Sequence, residues 1–462
     1  MARAAFNIDS SRDLILIPFS PVCETDTLEI RAQAYNSGGR GSAVFRFLLD
    51  GIPVASKSCT AQESSYAFCS IKLSLTGKAG RHVIKVVLSS PDGEVYNDTA
   101  ETRFIVHSRN AVKLDGGFIM FAPPSNRVCC DTFRDCLKAF TDEDWRRYIS
   151  EMHKIEQDCI IMTTVYQYYA IGKWGEDPEN LRSLRAPFEG SNLYPKNDNA
   201  ARDPVAAVLS EASKNGQKVF VAVGNNYGYT GRIQDMQELY DRYGAYESFY
   251  GWYFALELSL DVKDDSAFDK WRHLEELSAF ARKLSPAKPI LISPYNMPSE
   301  RFLRYFRNND CFDIIMPQDW AGQCQFTIEQ SAQMHQKLAP ICREGGKHFW
   351  ANCESFNFVK PDVDDYPYEL PHKNDDVLED AAGKLQKAMY LVPRFRGGGM
   401  VGEQGFDQQM KVTRAHVEKI MNFMLTGFFS PPGFEPACGG NAAVKQYNDY
   451  VAYLQSITGD NL

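Results

Sequence analysis

The chain has 462 residues, enough for two or three domains, and its 44% hydrophobic and 24% charged residues are ordinary for a soluble globular protein. The formal net charge is −9 with scattered basic residues, which argues against a nucleic-acid partner, and no apolar run reaches the roughly 18 residues of a membrane span. Aromatic residues make up 13% of the chain, more than packing usually needs, which favours flat binding surfaces.

The cellular location is predicted from the N-terminus and the cysteines. The first residues contain no hydrophobic leader, so the protein is either intracellular or begins after a cleavage site. The 12 cysteines are either buried thiols or include a few disulfides of a secreted protein. Asn97-Asp98-Thr99 is a glycosylation acceptor that is compatible with secretion. We therefore expect a secreted, periplasmic or cell-surface protein, with a cytoplasmic one as the alternative.

Short alternating apolar runs, separated by turn residues, fill the first hundred residues, as in an all-β sandwich. Asp50-Gly51 predicts a tight hairpin turn before Ile52. Residues 45–51 and 80–87 resemble adhesion-related Ig-like modules of bacterial surface proteins, which implies an accessory Ig-like sandwich domain over residues 1–110. The predicted strands are Leu14–Ile17, Thr27–Ala34, Val44–Leu49, Phe68–Leu75, His82–Ser89 and Thr102–Val106.

From residue 111 onward, eight apolar runs alternate with amphipathic helical segments. Runs of nearly continuous apolar character are typical of strands buried on both faces. The alternation predicts an α/β fold, a (β/α)8 TIM barrel over residues 111–462, with a doubly wound open sheet as the alternative. The runs are Gly117–Phe121, Cys159–Thr164, Lys218–Val223, Gly251–Leu256, Pro289–Ser293, Phe312–Met316, His348–Asn352 and Gly398–Val401.

Local start and stop signals support the helices between these strands. Thr141 and Asp144 form a capping-box pattern. Asp203 precedes a proline at the first helical position, and Gly216 follows about three turns later. Further helices are predicted over Ile233–Tyr243, Ser266–Leu284, Ser299–Asn308, Thr327–Arg343, Asp376–Val392 and Val412–Leu425, with a closing helix after Ser430.

Two glutamates are candidate catalytic residues because of where they follow strands. Reactive groups of a parallel barrel come from the carboxyl ends of its strands. Glu257 follows the fourth apolar run and Glu354 follows the seventh. A carboxylate in an apolar run is expensive to bury, so either a function or a salt bridge must explain each of them. A partly desolvated carboxylic acid has the raised pKa that a general acid needs.

This arrangement resembles the clan A TIM-barrel glycoside hydrolases, whose acid/base lies on strand four and whose nucleophile lies on strand seven. The resemblance implies that Glu257 is the proton donor and Glu354 the nucleophile of a retaining glycosidase, with carboxyls about 5 Å apart. The clan usually has Asn before the strand-four Glu, whereas this chain has Leu256. That departure favours the alternative, a non-catalytic carbohydrate-binding barrel.

Three segments of the barrel resemble an uncharacterised bacterial family of glycoside-hydrolase-like TIM barrels, often encoded among polysaccharide-degrading proteins. The segments are Gly116–Ile119, Asp158–Ile161 and Asp313–Asp319, the last of which ends in an unusual Pro-Gln-Asp. The resemblance implies a carbohydrate substrate but specifies neither the sugar nor the linkage.

Further acids, amides and aromatic residues follow the predicted strands. Asp319 is a third catalytic candidate, as a base or as a group that orients the sugar, and Glu403 competes with it from the eighth run. Sugar rings pack on aromatic planes, while amides pair with hydroxyl groups. The residues expected to bind substrate are Tyr166, Gln167, Asn225, Asn226, Tyr227, Tyr295, Asn296, Gln318, Trp320, Asn352 and Glu403.

Other chemistries lack a supporting motif. Residues 397–402 match the glycine spacing of a dinucleotide loop, but no βαβ unit with a ribose-binding acid follows them. A serine-hydrolase elbow, a Walker loop and a zinc-protease helix are not found in the sequence. We therefore expect neither a cofactor nor a metal.

Overall fold

The computed structural model describes residues 5–121, 136–168, 184–224, 231–256, 258–263, 269–307, 309–322, 326–359, 377–379, 385–387, 390–392, 395, 399–435 and 437–458. The N-terminal strands are β1 (Phe6–Asn7), β2 (Leu14–Ile17), β3 (Val22–Cys23), β4 (Thr27–Asn36), β5 (Gly41–Leu49), β6 (Ile52–Ala61), β7 (Ser65–Ser74), β8 (Gly80–Ser89) and β9 (Val95–His107).

These strands form two sheets that share one hydrophobic cluster. In the first sheet β4 pairs with β1 and β2 on one edge and with β7 on the other, and the second sheet has the order β3-β9-β8-β5-β6. Side chains such as Ile30, Phe45 and Phe104 fill the cluster. All six predicted strands are confirmed, while the resemblance to an Ig-like module stays a prediction.

The turn between β5 and β6 is the tight hairpin that the sequence predicts. Asp50 and Gly51 both have positive φ, 51° and 82°, and Leu49 pairs with Ile52 across them. Two consecutive left-handed residues match the right-handed twist of the strands. Strand β6 itself carries no apolar alternation because most of its side chains are exposed, so only the turn indicated it.

The strands after residue 110 are β10 (Gly116–Ile119), β11 (Cys159–Met162), β12 (Gln167–Tyr168), β13 (Leu184–Arg185), β14 (Lys218–Val223), β15 (Phe249–Phe254), β16 (Ile290–Ile292), β17 (Ile314–Ile315), β18 (His348–Glu354), β19 (Asn357–Val359), β20 (Val377–Glu379), β21 (Leu385–Lys387), β22 (Tyr390–Val392) and β23 (Lys419–Phe423). The helices are α1 (Asp142–Lys154), α2 (Pro204–Asn215), α3 (Ile233–Tyr243), α4 (Asp269–Leu284), α5 (Glu300–Arg307), α6 (Ile328–Glu344), α7 (Phe406–Arg414) and α8 (Gly440–Thr458).

Eight of these strands close into a parallel barrel in the order β10-β11-β14-β15-β16-β17-β18-β23. Strand β23 pairs with both β18 and β10, so the sheet has no free edge and the open-sheet alternative is wrong. Seven strands follow the predicted runs. Helices α1 and α2 begin at the predicted caps, since Thr141 accepts from Asp144 N, and Asp203 accepts from Ala206 N at 2.9 Å.

The eighth strand is a correction. It was predicted over Gly398–Val401, but the barrel closes with β23, inside a segment predicted as helix over Val412–Leu425. Strand β23 contains Lys419 and Asn422, which interrupt its apolar character. The structure buries both side chains, and the Lys419 ammonium donates to the Pro21 carbonyl. The helix predicted over Asp376–Val392 is wrong as well, because its described residues lie in β20, β21 and β22.

Aromatic rings fill the interior of the barrel. Phe118 lies 5.3 Å from both Tyr253 and Phe423, measured between ring centroids. Phe19, from the segment between β2 and β3, packs against Trp350 at 5.6 Å. Since Trp350 lies in the first half of β18, the N-terminal segment covers the amino-terminal end of the barrel. The carboxyl ends of the strands are left for chemistry, as in other barrels of this type.

A buried charge network joins the first sheet to the amino-terminal end of the barrel. Arg31 of β4 binds Glu29 and Asp313, each at 2.7 Å. Asp313 also accepts from Arg282 of α4 at 2.6 Å. His348, the first residue of β18, lies between Glu29 and Glu418. Burying these charges is tolerable because each has an oppositely charged partner.

We expect this network to make stability depend on pH above neutrality. Burial alone would lower the pKa of His348, but Glu418 and Glu29 outweigh it and raise the pKa to about 9 from an ordinary 6.5. The stabilisation from charged His348 is therefore complete below pH 6.5 and is lost as the pH rises through about 9. In urea unfolding, His348→Gln should cost on the order of 3 kcal/mol at pH 6 and much less at pH 10.

His153→Gln is the matched control, because that side chain is 43% exposed and its nearest carboxylate, Asp158, is 3.8 Å away. Its effect should be small at both pH values. If His348→Gln lowered the free energy of unfolding by the same amount at pH 6 and pH 10, the assignment of a charged His348 would be wrong.

Candidate active site

Glu354 lies at the carboxyl end of the seventh barrel strand. It is the last residue of β18, and its side chain is 1% exposed. The loop after β17 runs directly against it. A Cβ built on Gly322 would lie 3.2 Å from Glu354 Oε2 and 2.7 Å from its Cβ, so only glycine fits there without displacement. The carboxylate is therefore held in a narrow, desolvated position.

Asp319 is a buried clamp on the backbone of Glu354. Its Oδ1 accepts from Glu354 N at 3.1 Å and from Ala321 N at 3.2 Å, and its Oδ2 accepts from Gln409 Nε2. Gln409 Nε2 also donates to the Glu354 carbonyl at 3.1 Å. Both backbone polar groups of Glu354 are thus bound by this pair.

Burial also changes the acidity of Asp319. The side chain is 0% exposed, and burial raises its pKa to about 6 although the hydrogen bonds from Gln409 and from two backbone amides act in the opposite direction. Both carboxylate oxygens are occupied by protein donors. Its position favours orienting Glu354 over contacting a substrate.

A polar layer lies in the strands just before Glu354. Asn352, two residues earlier on the same face of β18, donates to Ser293 Oγ at 3.1 Å. Gln318 Nε2 lies 3.4 Å from the Ser293 carbonyl. Asn352 Oδ1 has no hydrogen-bond partner among the described residues, although the side chain is 2% exposed. An unsatisfied buried acceptor of this kind is costly and suits a site that binds hydroxyl groups.

Three half-buried rings, Tyr295, Trp320 and Phe326, form an aromatic rim after β16 and β17. The rings of Tyr295 and Trp320 stack at 5.3 Å and 22°, and Trp320 lies 5.4 Å from Phe326. Trp320 and Asn296 have positive φ, 53° and 75°, which is uncommon outside glycine and concentrates at functional sites. Asn296 Nδ2 is held by Ser259 Oγ at 2.9 Å. These strand-end loops are therefore locked in an unusual conformation.

Two predicted binding residues after β11 are buried in packing instead. Tyr166 is 3% exposed, and its hydroxyl donates to Glu238 of α3. Its ring packs against Tyr194 at 4.9 Å. Gln167 is 8% exposed and pairs with Arg185 in the β12–β13 ladder. The Tyr166 hydroxyl is thus bound by helix α3 and Gln167 lies in a hairpin strand, while the expectation that both residues bind substrate stays a prediction.

Glu403 does not follow a barrel strand. It lies exposed in the turn that precedes α7, before β23 begins. The prediction failed because it depended on a strand over Gly398–Val401 that the barrel does not contain.

Four predicted site residues, Glu257, Asn225, Asn226 and Tyr227, lie outside the described residues. The chain reaches them directly after β15 and β14, the fourth and third strands of the barrel. Past Glu257, Ser259 forms a parallel bridge with Tyr295, and Tyr295 N donates to the Leu258 carbonyl at 3.0 Å. Leu258 and Ser259 therefore lie beside the aromatic rim.

Sequence reasoning missed Gln409, Gly322 and Ser293. Gln409 lies 90 residues from Asp319 and belongs to a helix that precedes a strand the sequence did not reveal. Gly322 follows the Pro-Gln-Asp-Trp segment, so the unusual strand end was the available signal for it. Ser293 was the last residue of a predicted strand and carried no signal of its own.

Gly322→Ala tests the close approach to Glu354. The new methyl group would lie 2.5 Å from the Phe356 carbonyl oxygen as well as against Glu354, so the loop or the carboxylate must shift. We expect a loss in kcat/KM of roughly tenfold to a hundredfold, because small displacements of reacting groups are costly. The melting temperature should fall as well, because the closest contact is to a backbone atom. Gly399→Ala is the matched control, since among the described residues its new Cβ would have the Val401 carbonyl oxygen, at 3.7 Å, as its near neighbour, and it should leave both quantities unchanged. If Gly322→Ala left kcat/KM unchanged, the loop that contains Gly322 would have no role in the reaction.

The described residues contain no group of three or more His, Cys, Asp or Glu side chains arranged to hold a metal ion. Seven described cysteines are free thiols, and all but Cys59 are buried: Cys23, Cys59, Cys69, Cys159, Cys311, Cys342 and Cys353. In the part of the chain that is described, no helix combines the length and apolarity needed to span a bilayer.

Comparison with known proteins gives one family match. A family model described as a domain of unknown function, DUF4434, matches residues 114–377. No curated protein matches the sequence.

Solved structures give more distant similarities. A candidate alpha-L-fucosidase from Bacteroides thetaiotaomicron is 18% identical, with 76% of this chain and 97% of that chain covered and a TM-score of 0.45. Bacteroides uniformis beta-glucuronidase 2 is 10% identical over 97% of this chain and 50% of its own, with a TM-score of 0.41. Another Bacteroides uniformis beta-glucuronidase is 11% identical, with 89% of this chain and 45% of that chain covered and a TM-score of 0.37. The chain thus spans about half the length of the two glucuronidases.

Proposed function

This chain belongs to the DUF4434 family, and from that premise we propose that its barrel is a glycoside hydrolase that cleaves an oligo- or polysaccharide with retention at the anomeric carbon. The observation that carries the proposal is the position of Glu354. It is a desolvated carboxylate at the carboxyl end of a barrel strand, clamped through its backbone by Asp319 and Gln409. Catalytic groups of parallel barrels lie at this end of the strands, and a buried acid there is a candidate for chemistry.

In the proposed reaction Glu354 attacks the anomeric carbon, and a glycosyl ester forms as the bond to the leaving oxygen breaks. Glu257 gives its proton to that oxygen. It then takes a proton from water, whose oxygen attacks the anomeric carbon, and the bond between that carbon and Glu354 breaks to release Glu354 as a carboxylate. Strands four and seven of the closed barrel precede these two acids, which supports assigning them to one site.

Asp319 has a positioning role in this proposal. Its oxygens bind Glu354 N and Gln409, so it orients the nucleophile through the backbone. The aromatic rim offers flat faces for the C–H side of a sugar ring, and Asn352, Gln318 and Asn296 offer amide groups for its hydroxyls.

The test is hydrolysis of a panel of aryl glycosides and plant, bacterial and animal polysaccharides, with the anomeric configuration of the product followed by NMR. We expect turnover of at least one sugar class with retained configuration. Inversion would contradict Glu354 as nucleophile. Binding without turnover would favour the alternative, a non-catalytic carbohydrate-binding barrel, which the Leu256 in place of Asn before Glu257 also favours.

We further propose that residues 1–110 act as an accessory module for this barrel. The support is the buried contact between β4 and the strand starts, through Arg31 and Asp313.

A further inference from the structure

A cleft lies at the end of the barrel opposite to Glu354. It has a volume of about 490 Å³, within the range of small-molecule sites. One wall comes from the N-terminal sheets, and the other from the end of α3 and the segment between α4 and β16. Because Lys288 lies two residues before β16, the cleft opens at the amino-terminal side of the strands.

Lys288 forms the floor of this cleft. The side chain is 2% exposed, and its ammonium lies over the Phe249 ring and donates to the Phe249 carbonyl. An ammonium has three N–H donors, and this carbonyl is the acceptor recorded for it among the described residues. Burial lowers the pKa of Lys288 to about 7. The cavity is thus lined by a buried lysine whose ammonium is bound to the backbone of β15.

The polar walls carry charges of both signs. Asp9 accepts from Arg12 through Nε and Nη2, at 3.0 and 2.8 Å. Asp13 accepts from Gln33 Nε2 at 2.7 Å. With Asp98, the lining holds three carboxylates against Arg12 and Lys288, so neither a strong anion nor a strong cation is favoured.

Aromatic groups complete the lining. Tyr35 is 38% exposed, and its ring lies 5.3 Å from Tyr66 in an edge-on arrangement. The hydroxyl of Tyr66 interacts with that of Tyr240 across the two walls. An exposed phenol ring next to carboxylates and an arginine is a combination that suits a sugar ring, since it joins C–H packing with hydroxyl pairing.

We propose that this sheet–barrel cleft is a non-catalytic binding site for a neutral, hydroxyl-rich ring, a mono- or disaccharide. The ligand would contact both walls and hold the sheets against the barrel. The ligand class follows from the lining of this cleft alone, so the proposal does not require the barrel to be a hydrolase.

The test is hydrogen–deuterium exchange of the full chain with glucose, galactose, xylose and cellobiose. At a sugar concentration tenfold above its dissociation constant, exchange in peptides covering residues 7–13 and 240–244 should slow by up to about tenfold. Tyr35→Ala and Asp98→Ala should abolish this protection. Ile52→Ala, whose side chain is 68% exposed on β6 away from the cleft, should retain it.

The barrel end provides an internal comparison. Glu354→Gln should leave protection of the cleft peptides unchanged, so failure of hydrolysis and failure of this proposal are separate results. Protection confined to peptides covering 318–322 and 352–356, or none up to the solubility limit of each sugar, would overturn the cleft as a sugar site. The same follows if both cleft variants retain full protection while their melting temperatures match the parent.

Discussion

Glu354→Gln is expected to lower kcat by at least about a hundredfold on whichever glycoside the parent hydrolyses. The amide keeps the size of the side chain but removes the nucleophilic charge. The clamp from Asp319 and Gln409 binds backbone atoms, so it should survive the substitution. The melting temperature should therefore stay close to that of the parent, and KM should change less than kcat.

Glu403→Gln is the matched control for this measurement. It makes the same chemical change on an exposed turn before α7. We expect kinetics like those of the parent. A rate for Glu354→Gln within a few-fold of the parent, with Glu403→Gln also unaffected, would remove Glu354 from the mechanism.

Asp313→Ala is expected to cost about 3–5 kcal/mol of the free energy of unfolding, the scale for breaking one member of a buried ion pair. Asp313 accepts from Arg31 at 2.7 Å and Arg282 at 2.6 Å, and from Ile290 N at 2.7 Å. Opposing burial, these two arginines hold the pKa of Asp313 well below its ordinary value. Alanine would leave Arg282 without its carboxylate and Arg31 with Glu29 alone.

Asp310→Ala, three residues earlier, is the control, because its side chain is fully exposed and makes one surface ion pair with Lys347. It should cost less than about 1 kcal/mol in urea unfolding. In Asp313→Ala, the buried Arg31 keeps only one of its two carboxylate partners. Adding Arg31→Met removes that buried charge, so the double variant should recover part of the lost free energy of unfolding. A cost for Asp313→Ala as small as that of the control would mean that the network does not hold the sheets to the barrel.

The two variants act at opposite ends of the barrel. Asp313 lies before β17 and Glu354 at the end of β18. In parallel barrels the amino-terminal face contributes stability and the carboxyl-terminal face carries chemistry. We therefore expect Asp313→Ala to change stability far more than the kinetics of the remaining folded protein, and Glu354→Gln to do the reverse.

Patterns local to the chain determined most of the fold. Seven barrel strands followed from their continuous apolar runs, and α1 and α2 from their capping residues, because burial on both faces and helix capping depend on a few neighbouring residues. The same runs placed Glu354 at the end of the seventh strand.

Contacts between distant residues decided the rest. The sequence did not predict strand β23, because a lysine at its first position argues against a buried strand. Lys419 is buried with its partners Asp115 and Pro21, which lie some 300 and 400 residues away along the chain. Tyr166 became a packing residue through Glu238, and Asp319 became a clamp through Gln409. A single sequence shows that a polar side chain follows a strand, but the groups that satisfy its hydrogen bonds, and so whether it faces a substrate or the protein, are set by the tertiary fold.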